Sequence, residues 1–242
     1  MTERGDRPFA VFDIDGTVIR WQLYHSMADN LARMGFMDSK NHQLIKDARM
    51  IWKRRAGGFS DYEKVLIESF DQTVVKLSMA QLEAVVEAVF DEYKEQAYTF
   101  TRDLITKLKA DGYLLFAVSG SPVQIVSKVA AFYGFDAFAA SEYEYLNKKF
   151  TGQKRVIARE KRQALEALIK KFKAGSKNSL GVGDTYSDIP MLEIVDRPIA
   201  FNPERRLFAH AKSHGWEIVL ERKDMVYKLR QAKGKYELAE TD

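Results

Sequence analysis

Three short apolar segments of the sequence are each followed directly by a group of polar residues. Residues 9–12 precede Asp13 and Asp15, residues 113–118 precede Ser119, and residues 178–182 precede the segment that contains Asp184. A short apolar run that ends at turn-forming residues predicts a buried strand, as in a parallel sheet. Because the carboxyl ends of parallel strands meet at one edge of the sheet, we expect these polar groups to converge at a single site.

The order of the predicted elements indicates the fold class. From about residue 101 onward, predicted helices and strands alternate, which is typical of an α/β domain with a parallel sheet covered by helices. Residues 21–100 have apolar residues at helical spacings of three and four, and the segment is predicted to be helical throughout. We therefore expect a core domain of residues 1–20 and 101–242, with an α-helical cap domain of residues 21–100 inserted after the first strand as a candidate lid.

The residue types at these strand ends indicate attack on an electrophile combined with proton transfer. Asp13 and Asp15 lie two residues apart, so that one carboxylate can attack an electrophile while the other transfers a proton. Ser119 and Gly120 precede a helix predicted to begin at Pro122, and residues 119–122 are typical of a turn whatever their function.

The same residues resemble the motifs of the haloacid dehalogenase superfamily, most closely its phosphoserine-phosphatase-like branch, which carries a helical cap. The resemblance covers about residues 8–20 and 101–221. Asp13 and Asp15 match the first motif, Ser119 the second, and Asp184 with Asp188 the fourth. The third motif is a lone lysine, and Lys161 fits its spacing best among several basic neighbours: Lys154, Arg155, Arg159 and Arg162. The implied fold is a Rossmann-like parallel-sheet core (HAD-like) with an inserted α-helical cap.

The resemblance implies a Mg²⁺-dependent phosphatase that acts through an aspartyl phosphate on a small phosphorylated metabolite, possible substrates including one similar to phosphoserine. Asp13 is the expected nucleophile and Asp15 the expected general acid and base. The expected phosphate-binding residues are Ser119, Gly120, Lys161 and Thr17, of which Thr17 is equally well explained as a cap. The expected Mg²⁺ ligands are Asp13, Asp15 through its backbone carbonyl, Asp184 and Asp188. A phosphomutase with the same chemistry and a non-catalytic binding protein on this fold are the alternatives.

Residues of the cap are expected to select the substrate. Gln22 matches the position at which the phosphoserine phosphatases resembled here carry a glutamate for the substrate amine, and its neutral amide weakens the attraction for an ammonium group. Arg54 and Arg55 are candidates for binding a second anionic group, although a solvated helix end, where cations are favourable, explains them as well.

Composition excludes several other kinds of protein. The chain of 242 residues has no cysteine, which excludes disulfides and thiolate metal sites and is consistent with a cytoplasmic location. It contains no apolar run long enough to span a membrane and no signal-peptide pattern. The formal net charge of +4 is spread along the chain with acidic residues in between, so a solvated surface is favoured over a nucleic-acid site. We expect a monomer or homodimer with a small metabolite as its partner, and neither nucleic acid nor membrane.

Overall fold

The structure, a computed structural model, describes residues 7–55, 58–147, 149–223, 225–232 and 234–241. It divides into two compact units. The core unit comprises the described residues of Met1–Trp21, Lys94–Ser141 and Val156–Asp242. The helical unit comprises the described residues of Gln22–Tyr93 and Glu142–Arg155.

The described residues form nine strands and nine α-helices. The strands are β1 (Pro8–Phe12), β2 (Leu114–Pro122), β3 (Ala137–Leu146), β4 (Lys149–Arg155), β5 (Gly175–Gly183), β6 (Arg197–Phe201), β7 (Glu217–Arg222), β8 (Met225–Ala232) and β9 (Lys235–Thr241). The helices are α1 (Leu23–Arg33), α2 (Ser39–Lys53), α3 (Phe59–Val74), α4 (Met79–Tyr93), α5 (Thr99–Ala110), α6 (Val123–Tyr133), α7 (Lys161–Phe172), α8 (Ile189–Leu192) and α9 (Arg205–His214). Two 3₁₀ turns cover Ile157–Arg159 and Tyr186–Asp188.

A parallel sheet forms the centre of the core unit. Its strands follow the order β3-β2-β1-β5-β6-β7-β8-β9, and β1 pairs in parallel with both β2 and β5. The side chains of β1 from Phe9 to Phe12 are fully buried, because helices cover the sheet on both faces. This arrangement confirms the predicted α/β fold with a parallel core. β8 and β9 continue the sheet in antiparallel fashion.

Helices α1–α4 form the body of the helical unit. An aromatic cluster packs inside it, in which Tyr62 stacks on Trp52 with ring centroids 5.4 Å apart and meets His25 edge-on at 4.8 Å. Arg49 donates two hydrogen bonds of 2.8 and 2.9 Å to Asp29 and one of 3.0 Å to the Tyr62 hydroxyl. The cluster joins α1, α2 and α3 because these residues come from all three helices.

Residues 142–155 group with the helical unit, whereas the sequence boundaries place them in the core domain. They form an antiparallel hairpin from the second half of β3 and from β4. Asp71 of α3 accepts a hydrogen bond of 2.7 Å from the Tyr143 hydroxyl and forms an ion pair with Lys154. These contacts join positions more than 70 residues apart, which explains why the local sequence pattern does not reveal them.

Three local elements differ from the sequence-based expectation. β2 runs through Ser119 to Pro122, where a turn was expected, because Pro122 still pairs with Ser141 of β3. The sequence also predicts a helix that begins after an N-cap at Thr101, whereas α5 begins at Thr99 after the N-cap Tyr98, so Thr101 lies inside the helix. β8 and β9 were not predicted. Among the described residues, no helix is both long enough and apolar enough to cross a lipid bilayer.

Candidate active site

The carboxyl ends of β1, β2 and β5 lie side by side in the core unit. Asp13 directly follows β1, and its amide donates a hydrogen bond of 3.0 Å to the carbonyl of Val182 in β5. Ser119 lies near the end of β2, and Asp184 directly follows β5. The pairing of β1 with both neighbours is what brings these three residues, predicted separately from the sequence, to one edge of the sheet.

Lys161 joins two of the predicted acidic residues. It is the first residue of α7, and its side chain is 3% exposed. Its Nζ donates hydrogen bonds of 2.6 Å to Asp13 Oδ1 and 2.5 Å to Asp188 Oδ1. Burial by itself lowers the pKa of Lys161, but the two carboxylates raise it above its ordinary value. Lys161 therefore carries a positive charge in the interior, directly beside Asp13.

Both oxygens of the Asp188 carboxylate are engaged. While Oδ1 accepts from Lys161, Oδ2 accepts hydrogen bonds from the amides of Asp184 at 3.0 Å and Thr185 at 2.9 Å. The Thr185 hydroxyl adds a third bond to Oδ2 at 3.2 Å. Asp188 thus fixes the loop that carries Asp184, and it also orients Lys161. Thr185 is not among the residues predicted from the sequence, although Thr185-x-x-Asp188 is a capping-box pattern that could have identified it.

Asp15 and Ser119 contact each other at the same sheet edge. The Ser119 hydroxyl donates a hydrogen bond of 2.9 Å to Asp15 Oδ2 and accepts one of 3.0 Å from the Ser121 amide. Ser119 is fully buried, whereas Asp15 is partly exposed. The bond therefore holds Asp15 in one orientation while leaving part of its carboxylate accessible.

Thr17 contacts the fourth carboxylate of the site. Its fully buried hydroxyl donates a long hydrogen bond of 3.4 Å to Asp184 Oδ1. The Thr17 carbonyl in turn accepts a bond of 2.8 Å from the Thr101 hydroxyl. Thr17 therefore links the loop after β1 to Asp184 and to α5.

The carboxylates of this site carry more negative charge than Lys161 can balance. Burial raises the pKa of Asp13 to about 8, with Lys161 opposing the shift and Asp188 and Asp15 adding to it. Burial also raises the pKa of Asp184 well above its ordinary value, and the charges of Asp13 and Asp188 raise it further. Like charges that are held together without water favour the protonated form.

Three of these carboxylates can share a divalent cation. Asp13, Asp184 and Asp188 each offer an oxygen that lies within 4.8 Å of the others. Oxygen ligands and an excess of negative charge suit Mg²⁺, so the residues fit the cation that the sequence resemblance implies. The carboxylate of Asp15 is not in this group, and the role predicted for Asp15 involves its backbone carbonyl instead.

The three predicted substrate-selecting residues all belong to the helical unit. Gln22 is partly buried and precedes α1 without capping it through its side chain. Arg54 and Arg55 are exposed at the end of α2. Their contribution to substrate selection stays a prediction.

Comparisons with known proteins show the family to which the chain belongs. A family model described as haloacid dehalogenase-like hydrolase matches residues 10–193. The chain is 28% identical over 146 residues to phosphoserine phosphatase SerB1 of Mycobacterium tuberculosis (strain ATCC 25618 / H37Rv), covering 58% of this chain and 47% of that protein. It is 26% identical over 220 residues to a phosphoserine phosphatase of Albidiferax ferrireducens, covering 86% and 81%. The chain spans about half the length of the first curated relatives that it matches.

Solved structures are similar in fold. A protein of unknown function from Bordetella pertussis Tohama I superposes with a TM-score of 0.72 at 22% identity, covering 88% of this chain and 98% of that one. A phospho-aspartyl intermediate analogue of phosphoserine phosphatase gives a TM-score of 0.64 at 20% identity, covering 90% and 95%. At sequence identities of 20–22%, the similarity between this chain and these solved structures is a similarity of fold alone.

Proposed function

Since this chain belongs to the haloacid dehalogenase-like hydrolase family, we propose that it is a phosphatase that hydrolyses a small phosphorylated metabolite through a covalent aspartyl phosphate. The observation that carries the proposal is the contact of buried Asp13 with Lys161 at the end of β1, next to Asp184 and Asp188. A carboxylate in this setting is held rigidly and has a cation beside it, as a nucleophile toward an anionic substrate requires.

In the first step, an Asp13 oxygen attacks phosphorus. The new Asp13 Oδ–P bond forms as the bond between phosphorus and the leaving alcohol oxygen breaks. Lys161, at 2.6 Å from Asp13 Oδ1, lowers the repulsion between the carboxylate and the phosphate and stabilises the charge on the transferring group. Ser119 and Gly120, at the end of the neighbouring strand, are positioned to hold phosphate oxygens.

Asp15 moves the protons in both steps. In its protonated form it gives its proton to the departing alkoxide, and it then takes a proton from the water that attacks the aspartyl phosphate. The attack releases inorganic phosphate and restores the Asp13 carboxylate. The Ser119 hydroxyl donates to Asp15 Oδ2 at 2.9 Å and so orients the carboxyl group before the substrate binds. When phosphate is bound, the one proton of this hydroxyl is donated to a phosphate oxygen instead.

Asp13, Asp184, the Asp15 carbonyl and Asp188 are the groups proposed to hold Mg²⁺. When bound, the cation supplies the positive charge that lets a carboxylate approach a phosphate. Asp188 already accepts from Lys161 and from two backbone amides, so its main contribution is to orient the other groups. The raised pKa values of Asp13 and Asp184 support a cation at this position, because they report an unbalanced cluster of negative charge.

The relatives and the residues of the cap support the proposed substrate class. Three of the curated relatives are phosphoserine phosphatases. This chain has Gln22 where the resembled phosphatases have a glutamate, so we propose a small cytoplasmic phosphomonoester whose ammonium group, if it has one, is recognised less strongly than in those enzymes. Arg54 and Arg55 stay candidates for binding a further anionic group.

The test is phosphate release from a panel of phosphomonoesters with and without Mg²⁺. The panel contains phosphoserine, sugar phosphates, nucleotides and phosphocholine, and the variants are Asp13→Asn and Asp196→Asn. Asp196 is a matched control because its carboxylate accepts a backbone amide at 2.7 Å, outside the candidate site. We expect release that requires Mg²⁺, that is lost in Asp13→Asn and that is retained in Asp196→Asn. Undiminished turnover by Asp13→Asn would refute the assigned nucleophile.

A further inference from the structure

Ser141 is a buried serine that the sequence motifs do not include. It is the last residue of the core unit before the hairpin of residues 142–155, and it is 2% exposed. Its hydroxyl donates a hydrogen bond of 2.7 Å to the carbonyl of Gly120 and accepts one of 3.1 Å from the amide of Ile157. One side chain therefore satisfies two backbone groups that are far apart in the sequence.

Both partners of Ser141 lie next to proposed phosphate-binding residues. Gly120 follows Ser119 directly at the end of β2. Ile157 begins the 3₁₀ turn Ile157–Arg159, which leads into α7 and its first residue, Lys161. The Ser141 hydroxyl thus connects the end of β2 to the segment that delivers Lys161.

The chain path gives this connection a second consequence. The hairpin leaves the core unit after Ser141, and the chain re-enters the core unit at Val156. The hydrogen bond from the Ile157 amide to Ser141 Oγ joins the core residues on either side of the hairpin, which comprises residues 142–155. The pairing of β3 with β4 already places Glu142 opposite Arg155. The bond to Ser141 adds a contact at the next positions along the chain and so ties Ile157, at the start of the 3₁₀ turn, to the end of the core part of β3.

The two connected segments also touch directly. A Cβ atom added to Gly120 would lie 3.0 Å from the Cβ of Ala158. A side chain at position 120 would crowd Ala158, so the two segments lie close together here. The Ser141 hydroxyl joins the same two segments through its hydrogen bonds to Gly120 and Ile157.

We propose that Ser141 is a positioning residue that holds Ser119 and Gly120 in register with Lys161 and so shapes the phosphate site. The proposal rests on the proposed function, because it assigns phosphate binding to those three residues. Removing the hydroxyl leaves the Gly120 carbonyl and the Ile157 amide without their partner, and both segments then shift to find others. Shifts of less than 1 Å at a site for an oriented reaction already reduce its rate strongly.

The test compares Ser141→Ala with Ser179→Ala, both in the presence of Mg²⁺. Ser179 is a matched control, since it is fully buried in the core unit and its hydroxyl accepts the Asp196 amide at 3.0 Å. The measurements are kcat and KM for p-nitrophenyl phosphate, calorimetric affinity for inorganic phosphate, thermal stability, and hydrogen exchange of the Ile157 amide. We expect Ser141→Ala to lose about tenfold in kcat/KM and in phosphate affinity and to exchange Ile157 faster. Ser179→Ala is expected to lose stability while keeping both phosphate readouts.

Two results would overturn the proposal. One is a Ser141→Ala variant with wild-type phosphate affinity and kinetics, and the other is an equal loss of these quantities in both variants, which would indicate general destabilisation. A wild-type protein that binds phosphate but hydrolyses no ester would count against the proposed function instead. In that case the phosphate affinities of the two variants would still decide whether Ser141 positions the site. Absence of any phosphate binding by the wild type would refute both.

Discussion

The side chain of Asp188 leaves no room for a Cβ atom at Gly183. An added Cβ would lie 2.6 Å from both Cβ and Cγ of Asp188. The carboxylate cannot move away without breaking its bonds to Lys161 and to two backbone amides. We therefore expect Gly183→Ala to lose at least about 100-fold in kcat, because Asp188 no longer orients Lys161 and the Asp184 loop. Phosphate release by the purified, folded variant measures this loss.

Gly181→Ala is the control for this substitution, because Gly181 precedes Gly183 by two residues on the same face of β5. Its added Cβ would meet apolar side chains instead, with Leu192 at 2.8 Å and Val195 at 3.1 Å. This variant is expected to lose about 1–3 kcal/mol of stability through overpacking, with turnover per folded molecule close to wild type. A Gly183→Ala enzyme as active as Gly181→Ala would contradict the rigid role given to Asp188.

The charged residues of the candidate site could be selected from the sequence, but their contacts could not. Lys161 was one of several basic candidates, and only folding separates them: Lys161 binds Asp13, whereas Lys154 pairs with Asp71 in the helical unit and Arg162 pairs with Glu166. The bond between Ser119 and Asp15 could not be predicted, because it joins positions 104 residues apart and depends on both side-chain rotamers.

His25 gives the helical unit a dependence on acid pH. It is 2% exposed and packs edge-on against Tyr62. Burial, helped by Arg49 and Lys53 and opposed by Asp29, lowers the pKa of His25 to about 3. In the unfolded chain the imidazole gains its proton near pH 6.5, so the unfolded state binds more protons between pH 6.5 and 3. The stability contributed by neutral His25 is therefore complete above pH 6.5 and decreases as the pH falls through this window.

The loss attributable to His25 is at most about 1.4 kcal/mol per pH unit. It is measured as the free energy of unfolding in urea at pH 7, 6 and 5 for the wild type and His25→Phe. We expect His25→Phe to flatten the pH dependence even if its stability at pH 7 is lower. Parallel slopes for the wild type and His25→Phe would rule out this origin of the acid sensitivity.

A carboxylate on β7 caps the first turn of α5. Glu221 accepts hydrogen bonds from the amides of Thr99 at 3.1 Å and Phe100 at 2.9 Å, and its side chain is 1% exposed. It also pairs with Arg20, which itself donates a bond of 2.8 Å to the Ala97 carbonyl. Arg20 and Ala97 lie close to the two points where the chain leaves and re-enters the core unit. Glu221 thus contacts the core unit close to both ends of the inserted segment of residues 22–93.

Glu221→Ala is expected to cost about 2 kcal/mol of stability, because a helix cap and a charge-assisted hydrogen bond are lost together. Glu221→Gln keeps a side-chain acceptor and should lose less. Glu217→Ala on the same strand is the control, since Glu217 only pairs at 3.8 Å with the largely exposed Arg230 and should cost under about 1 kcal/mol. The free energy of unfolding in urea is measured for the three variants. If Glu221→Ala loses no more stability than Glu217→Ala, the Glu221 cap does not stabilise α5.

Elements with a strong apolar pattern were predicted, and elements that depend on distant pairing were not. The buried strands β1, β2 and β5 and helix α4 carry patterns that are visible in their own residues. β8 and β9 have a weaker pattern, in which charged residues interrupt the apolar ones, and they become strands by pairing with β7 and with each other. The assignment of residues 142–155 to the helical unit likewise depends on contacts with α3.

The net charge of the chain does not reveal the charge of its candidate site. The whole sequence carries a formal charge of +4, yet the site combines the carboxylates of Asp13, Asp184 and Asp188 with one ammonium group, that of Lys161. When all four groups are ionised, three negative charges against one positive leave an excess of two negative charges. Since these groups are largely shielded from water, their repulsion opposes folding of the core unit.

Because of this excess negative charge, we expect the effect of Asp184→Asn on the melting temperature to depend on whether Mg²⁺ is present. Asp184→Asn removes one of the repelling charges and keeps an oxygen that can accept from Thr17. In chelator we expect this variant to melt at a higher temperature than the wild type. Addition of Mg²⁺ should then raise the melting temperature of the wild type, by about 2–4 °C for each kcal/mol of binding free energy, and should raise that of Asp184→Asn much less.

Asp136→Asn is the control for this experiment, because the Asp136 carboxylate accepts the Leu115 amide at 2.8 Å and is not one of the three clustered carboxylates. Its response to Mg²⁺ should equal that of the wild type. A wild-type melting temperature that is unchanged by Mg²⁺, together with an Asp184→Asn variant that is less stable in chelator, would mean that the carboxylates are not mutually repelling ligands. If Mg²⁺ instead raises the melting temperature of the wild type, and Asp184→Asn is more stable than the wild type in chelator, then the three carboxylates repel one another and bind the cation. The core unit would then be less stable without the cation because these charges lie together.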